Sequence, residues 1–193
     1  MQKLLPLLLL AFLLSCSTKK YANPHVLIET GAGDIEIELF PAKAPKTCAA
    51  FMQYVEKGLY KNSSFYRVIK NEDLAPEYNS GLIQGGIHHT DPATLATLKG
   101  TPHESPAQTG LSHTDGTVSL ARTTPGSGSS EFFICIGDQR QFDSSKRTNP
   151  DGLGYAAFGH VVSGMKVVRD IQSRRSNGDE FLSPVSIKSI SIR

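Results

Sequence analysis

Residues 129–137 read SSEFFICIG, and the alternation in this stretch decides the fold. Successive side chains of a β-strand point to opposite faces. One face would then be uniformly apolar and consist of Phe132, Ile134 and Ile136. The opposite face would consist of Glu131, Phe133 and Cys135. The stretch therefore predicts a strand with one plain core face and with a carboxylate close to an aromatic ring on its other face.

Seven other stretches have strand character, and two have helical spacing. A strand begins at Val26, and further strands are predicted at 35–39, 64–69, 82–85, 117–122, 131–136, 156–162 and 185–192. Helices are predicted from Pro45 to about Gly58 and from Met165 to Ser173, because their apolar residues recur every three or four positions. Two helices are too few to connect eight parallel strands, so the pattern favours an all-β antiparallel barrel or sandwich. The last strand changes its alternation between Ile187 and Ile190, which indicates a bulge or burial on both faces.

Composition and charge indicate one globular domain. The chain has 193 residues, a net charge of +2 and 39% hydrophobic residues, and its acidic and basic residues are interspersed. No block of basic residues is present, so a nucleic-acid partner is not expected. About 170 residues after the leader suffice to bury a core without disulfide bonds.

The first residues read MQKLLPLLLLAFLLSC, with one lysine before an apolar run. The run of eleven residues is shorter than the ~20 that a transmembrane helix needs, and the pattern is typical of a secretory signal. LLSC at 13–16 resembles the lipobox of bacterial lipoproteins, which predicts a signal peptide at 1–15, lipidation of Cys16 and a tether at 16–24. An ordinary signal peptide with an incidental cysteine is the alternative. The lipoprotein interpretation implies a lipid anchor in the bacterial cell envelope, at the outer membrane and facing the periplasm.

Three ordered motifs lie in the mature chain: FYRVI at 65–69, GLIQGG at 81–86 and SLARTTPGSGSSEFFI at 119–134. Together they resemble the cyclophilin family of peptidyl-prolyl cis-trans isomerases, and the likeness extends over residues 25–193. The resemblance implies a closed eight-stranded antiparallel barrel capped by two α-helices. It also implies proline-containing polypeptides as partners, no cofactor, no metal and a monomer.

The resemblance assigns roles residue by residue. Arg67 in FYR matches the catalytic arginine of the family motif FHR, and Gln84 matches the glutamine that supports it. The substrate-binding positions are Phe133, Leu82, Phe142, Ala121, Arg122, Glu131 and Tyr155. These matches imply an isomerase that accelerates X–Pro rotation in exported proteins. A catalytically weak proline-peptide binding module or chaperone is the alternative.

The chain departs from the family pattern at four positions of the expected site. Glu131 replaces a glutamine, Gln141 replaces a tryptophan, Tyr155 replaces a histidine, and Gly81 stands where a pocket phenylalanine is usual. Glu131 is expected on the face of Phe133; close to Arg67, it would form an ion pair that holds the guanidinium with activity retained, and the alternative is that it occupies the donors of Arg67 and slows the reaction. Tyr78, in an insertion at 71–80, is a candidate to fill the space of the missing phenylalanine.

The long connections at 70–81, 87–116 and 137–155 contain most of the remaining polar residues. The middle one has four histidines, His88, His89, His103 and His113. They lack the acids or cysteines that complete a common metal-binding spacing, so they are expected to be solvated loop residues. Cys48 and Cys135 both lie in apolar patterns and are expected to be buried free thiols.

Overall fold

The computed structural model describes residues 21–143 and 150–193. The predicted signal peptide and the predicted lipidation site, Cys16, lie outside the described residues. In the part of the chain that the structure describes, no helix is long and apolar enough to cross a membrane.

Eight antiparallel strands of the described chain form a closed barrel, as predicted. Their order around the barrel is β1-β2-β7-β5-β6-β4-β3-β9, and pairing of β1 with β9 closes it. The strands are β1 (His25–Thr30), β2 (Asp34–Leu39), β3 (Ser63–Ile69), β4 (Gly81–Gly86), β5 (Thr117–Leu120), β6 (Phe132–Ile136), β7 (Ala156–Ser163) and β9 (Glu180–Ile192). A ninth strand of two residues, β8 (Ser176–Asn177), pairs only with the start of β9 and forms a short hairpin beside the barrel.

Two longer helices pack against the barrel, α1 (Pro45–Glu56) and α4 (Met165–Gln172). The long connection between β4 and β5 contains two further helices of one turn each, α2 (Pro92–Leu95) and α3 (Pro106–Thr109). These two helices were not predicted, because four residues are too few to establish a helical period.

The first turn of α1 is capped from a distant loop. Ala44, the residue before the helix, has no side chain that can accept a hydrogen bond. The buried carboxylate of Glu104 instead accepts hydrogen bonds from the backbone N–H groups of Lys46, at 3.1 Å, and Thr47, at 2.8 Å, and from the Thr47 hydroxyl, at 2.7 Å. Since the first N–H groups of a helix have no partner within it, this carboxylate fixes the helix against the loop.

The barrel interior is filled by aromatic and aliphatic side chains. The ring of Phe132 meets those of Phe51, Tyr60 and Phe65 edge to face, at centroid distances of 5.6, 5.7 and 5.8 Å. Alternation along β6 follows the prediction: the inward face joins this core, whereas Phe133 and Cys135 belong to a second apolar cluster outside it.

The predicted irregularity in β9 is a β-bulge. Glu29 pairs with Ser189, but the next residue, Thr30, pairs with Ile187, so Lys188 is the extra residue. The bulge allows Ile187 and Ile190 both to be buried, although they are three positions apart in a strand.

Candidate active site

A second β-bulge, in β3, builds one side of the site. Phe65 pairs with Gly85 and Arg67 pairs with Gln84, so Tyr66 is the extra residue. Phe65 and Val68 point into the core, whereas Tyr66 and Arg67 both face the same outer cavity. Regular alternation would have put Arg67 on the side of Phe65, so the bulge is what turns the guanidinium outward.

The register of the neighbouring strands then forms a row across the outer surface. Arg67 of β3 is the partner of Gln84 on β4, Gln84 is the partner of Phe133 on β6, and Phe133 is the partner of Ser119 on β5. Side chains that are directly opposite one another on neighbouring strands are in contact range. Two polar groups therefore lie next to an aromatic ring on a rigid surface.

The apolar part of the site surrounds Phe133. Its ring lies edge to face with Tyr155, at a centroid distance of 5.3 Å, and with Phe142, at 5.7 Å. Leu82 completes the buried cluster, and Ala121 packs against it. Small apolar rings such as a pyrrolidine fit a pocket of this kind, because burial of apolar surface provides affinity and the aromatic walls define an orientation.

One open cavity of about 660 Å³ contains all of these groups. Every residue assigned to catalysis or substrate binding from the sequence lines it, namely Arg67, Gln84, Phe133, Leu82, Phe142, Ala121, Arg122, Glu131 and Tyr155. The cavity also involves residues that the sequence analysis did not single out, among them Tyr66, Ile69, Leu95, Ser129 and Glu180.

Arg67 is held from two sides. Its Nε donates to Asp179 at 2.7 Å, and its Nη1 donates to Oε1 of Gln84 at 3.0 Å. Its Nη2 donates a hydrogen bond to none of the described residues. The hydrogen bond from Arg67 lowers the pKa of the largely exposed Asp179 carboxyl. A partly exposed guanidinium with uncommitted donors is thus available at the wall of an apolar pocket.

The expected ion pair between Glu131 and Arg67 is wrong. Glu131 Oε2 accepts a hydrogen bond from the Tyr66 hydroxyl at 2.8 Å, and Oε1 accepts from the backbone N–H of Ile87 at 2.8 Å and of His88 at 3.1 Å. Burial raises the pKa of Glu131, and these hydrogen bonds oppose the rise. Regular alternation already puts Tyr66 on this outer face, and the bulge adds Arg67 to it; the carboxylate bonds to Tyr66 and not to Arg67.

Arg122 is committed to its own loop. Its guanidinium forms two hydrogen bonds with Asp151, at 2.8 and 2.9 Å, and donates to the carbonyl oxygen of Gly154 from Nε at 3.0 Å and Nη2 at 2.6 Å. It lies 5.4 Å from the ring centroid of Tyr155. The Arg122 hydrogen bonds lower the pKa of Asp151 to about 2. Arg122 therefore fixes the wall that contains Tyr155, in addition to lining the cavity.

The expectation for Tyr78 is wrong, since this side chain is 76% exposed and does not line the cavity. Gly81 is required by the backbone: its φ is +133°, and a Cβ there would lie 2.0 Å from the carbonyl oxygen of Ile69. A phenylalanine at this position is therefore incompatible with the local chain path.

The histidines do not share one environment. His88 and His89 are exposed, as expected, although the ring of His89 stacks on Tyr66 at 4.5 Å. The expectation is wrong for His113, which is fully buried behind Phe133, at a ring-centroid distance of 6.0 Å. Its Nδ1 is 2.7 Å from Asp143, and its Nε2 is 3.0 Å from the Ser119 hydroxyl. Asp143 is 30 residues away in sequence, and Ser119 meets the ring only in the folded barrel, so no local pattern indicated the burial.

Burial lowers the pKa of His113, and Asp143 opposes that effect. Asp143 is acceptor-only when ionised, so the neutral ring donates from Nδ1 to it and accepts at Nε2 from Ser119. The arrangement fixes the imidazole plane on which Phe133 stacks.

The expectation of two buried free thiols is confirmed for Cys48 and Cys135. Burial raises the pKa of Cys48 to about 12 and also raises that of Cys135, which makes both poor nucleophiles. Across residues 21–143 and 150–193, no group of three or more histidine, cysteine or acidic side chains is arranged to hold a metal ion.

Comparison with known proteins shows which family the chain belongs to. A family model described as cyclophilin type peptidyl-prolyl cis-trans isomerase/CLD matches residues 25–192. A peptidyl-prolyl cis-trans isomerase of Acinetobacter baylyi is 39% identical over 156 residues, which cover 80% of this chain and 75% of that protein. Peptidyl-prolyl cis-trans isomerase B of Escherichia coli is 37% identical over 148 residues, which cover 76% and 83%.

Solved structures give the same result for the fold. A cyclophilin type peptidyl-prolyl cis-trans isomerase of Cryptosporidium parvum has a TM-score of 0.68 and 25% sequence identity, over 88% of this chain and 97% of that one. A structure of the same parasite protein in the presence of the dipeptide Ala-Pro has a TM-score of 0.67 at 25% identity, over 88% and 98%. On its barrel and on these matches, the chain belongs to the family of cyclophilin-type peptidyl-prolyl cis-trans isomerases, whose activity is EC 5.2.1.8.

Proposed function

We propose that the cavity binds an X–Pro segment, with the proline ring against Phe133, and that Arg67 accelerates rotation of the bond that precedes the proline. Leu82, Phe142 and Tyr155 would hold the ring from its sides. The substrates would be unfolded stretches of exported proteins. The observation that supports this proposal is the position of the anchored Arg67 guanidinium, with donors to spare, at the edge of an apolar pocket.

The chemistry needs no bond to be broken. The rotational barrier is ~18–20 kcal/mol because the peptide C–N bond has partial double-bond character. Uncatalysed X–Pro exchange takes roughly 10–100 s, and reaching milliseconds requires a barrier lower by about 6 kcal/mol. As the bond twists, the imide nitrogen becomes pyramidal and gains a lone pair.

Arg67 donates a hydrogen bond to that lone pair. In the planar ground state the lone pair is delocalised, so this hydrogen bond is absent. The interaction is therefore stronger in the transition state than in the bound substrate, and this difference is what lowers the barrier. The guanidinium stays protonated at any ordinary pH, so its donor capacity is constant. Gln84, the cross-strand neighbour of Arg67, keeps it in the outward position.

The direct test is isomerisation of an Ala-Pro peptide, followed by NMR exchange spectroscopy, for the wild type and for Arg67→Ala. Loss of one transition-state donor is expected to lower kcat/KM by about 10²–10³-fold. Arg169→Ala is the matched control, because this arginine pairs with Asp115 and does not line the cavity. If Arg67→Ala isomerised the peptide as fast as the wild type, the mechanism would be overturned. If both proteins isomerised it at about the uncatalysed rate, the weak binding module would be supported instead.

The chain would work at a membrane surface. The apolar run at 4–14 followed by LLSC supports export and lipidation of Cys16, and the polar residues that follow would act as a tether to the outer membrane on its periplasmic side. Metabolic labelling with radioactive palmitate, combined with separation of inner and outer membranes, tests this. Cys16→Ala is expected to abolish the label and to release the protein into the soluble fraction; an unlabelled wild type would contradict the anchor.

A further inference from the structure

A chain of hydrogen bonds leads from the half-buried carboxylate of Glu131 to the guanidinium of Arg67. Glu131 Oε2 accepts from the Tyr66 hydroxyl at 2.8 Å, the Tyr66 oxygen accepts from Nε2 of Gln84 at 2.8 Å, and Oε1 of Gln84 accepts from Nη1 of Arg67 at 3.0 Å. Glu131 and Arg67 do not contact each other directly. The hydrogen-bonded connection between the carboxylate and the guanidinium therefore passes through Tyr66 and Gln84.

The direction of every hydrogen bond in this chain is determined by its ends. An ionised carboxylate only accepts and a guanidinium only donates. The single proton of the Tyr66 hydroxyl therefore goes to Glu131, which leaves the Tyr66 oxygen to accept from the Gln84 amide. Gln84 must then present its N–H₂ group to Tyr66 and its oxygen to Arg67. Both ends require the same orientation of the Gln84 amide.

We infer that Glu131 is a positioning residue for prolyl isomerisation: acting through Tyr66, it fixes the Gln84 amide in the one orientation that holds Arg67. The inference rests on the proposed function of Arg67. Neither Glu131 nor Tyr66 is a catalytic residue in this scheme, because neither needs to touch the twisting bond. Burial strengthens the effect, since Tyr66 is only 6% exposed and competing water is largely excluded.

Replacing the carboxylate by an amide reverses the chain. In Glu131→Gln, the oxygen of the new amide can still accept from Ile87 and His88, which leaves its N–H₂ group facing Tyr66. The Tyr66 proton then has only Gln84 as an acceptor, and the Gln84 amide turns its N–H₂ group toward Arg67. Two donors would face each other there, so the guanidinium loses its anchor on the barrel side.

Tyr66→Phe is the matched variant, because it interrupts the chain and leaves the contacts of Glu131 with Ile87 and His88 in place. Both single variants are expected to lower kcat for an Ala-Pro peptide by about tenfold, the effect of one well-formed hydrogen bond. Peptide affinity, measured by NMR titration, is expected to change less than about twofold, since the proline pocket is untouched. The double variant is expected to lose no more than either single variant, because one chain cannot be broken twice.

A pH profile provides a second readout. The groups facing Glu131 are Tyr66 on β3, Tyr60 before β3, Ser130 beside it and His88 after β4, while Arg67 lies beyond Tyr66. Protonation of Glu131 removes the requirement that Tyr66 donate to it. Wild-type kcat is therefore expected to fall on acidification, at a pH above the usual range of a glutamate, and Glu131→Gln is expected to lack this dependence. The fall of kcat on acidification should persist in His88→Asn, because it is assigned to Glu131 and not to this histidine.

The outcomes separate the inference from the proposed function. If Arg67→Ala keeps the wild-type rate, the proposed function fails. If Arg67→Ala is inactive but Tyr66→Phe and Glu131→Gln keep wild-type kcat, only the positioning inference is overturned. Losses that add in the double variant, or a faster Glu131→Gln enzyme, would also overturn it. Thermal unfolding of each variant shows whether a loss of rate comes from a loss of folded protein.

Discussion

Asp143→Ala removes the acceptor that orients the buried imidazole behind Phe133. Asp143 accepts from Nδ1 and from the backbone N–H of His113, each at 2.7 Å, and His113 is completely buried. A buried donor without an acceptor costs about 1–3 kcal/mol. Because the Asp143 side chain is 25% exposed, water can replace part of the lost hydrogen bonding. The free energy of unfolding is therefore expected to decrease by about 2–3 kcal/mol for the two donors together. For a chain of this length, that lowers Tm by roughly 4–12 °C.

The measurement is urea denaturation at pH 8, followed by far-ultraviolet circular dichroism because the chain has no tryptophan. Asp138→Ala is the matched control from the same loop: its ion pair with Arg140 joins side chains that are 60% and 64% exposed, so a change of less than about 0.5 kcal/mol is expected. A loss in Asp143→Ala as small as that of the control would refute the argument. The lowered pKa of His113 allows a second test, on the wild type, by varying the pH. Below pH 6.5 the histidine binds a proton more readily in the unfolded chain than in the folded one. The free energy of unfolding is therefore expected to fall as the pH drops below 6.5.

Three further substitutions test the fold and the site. Glu104→Ala is expected to cost about 2 kcal/mol in urea denaturation, because α1 loses its only side-chain cap among the described residues, and an unchanged midpoint would contradict the cap. Gly81→Ala is expected to cost about 3 kcal/mol, since its Cβ would collide with a backbone carbonyl, whereas Gly58→Ala, with open space around it, is expected to cost about 1 kcal/mol. Asp179→Asn is expected to lower kcat/KM less than about threefold, because its ion pair with Arg67 is largely exposed; a loss as large as that of Tyr66→Phe would show that the outer anchor dominates.

The barrel was predictable because its strands are short and alternate. Alternation along β6 puts Phe132 and Phe133 on opposite faces, in two separate apolar clusters, and the motifs around them predicted the apolar walls of the cavity. The capping helices were predictable from spacing as well. The two one-turn helices and the two-residue strand were not, because elements of this length have no period of their own.

The polar half of the site was harder to predict, for a specific geometric reason. Strict alternation puts Tyr66 and Arg67 on opposite faces, and the bulge in β3 puts them on the same face. The bulge in β9 is marked by a change of phase in the hydrophobic pattern, but the one in β3 is masked, because Tyr66 and Val68 on either side of Arg67 can lie on either face. The predicted contact of Glu131 with Arg67 failed because Tyr66 occupies the space between them. His113 was misassigned because its partners, Ser119 and Asp143, meet it only through strand pairing and a distant turn.

The two hydrogen-bond partners of Arg67, Asp179 and Gln84, hold it with different strength. This difference suits a guanidinium that must keep a fixed orientation and still donate to a substrate. Asp179 is exposed, so water and salt screen its ion pair, and the hairpin of β8 and β9 to which it belongs is small. Gln84 lies in a barrel strand, and its amide is fixed in turn by the buried Tyr66 and the half-buried carboxylate of Glu131. The guanidinium is thus oriented by the barrel, while its solvent-facing donors remain available to a twisting X–Pro bond. Asp179 accepts only from Nε; a second carboxylate bonded to Nη1 or Nη2 would compete with the substrate for those donors, and Tyr66 separates Glu131 from them.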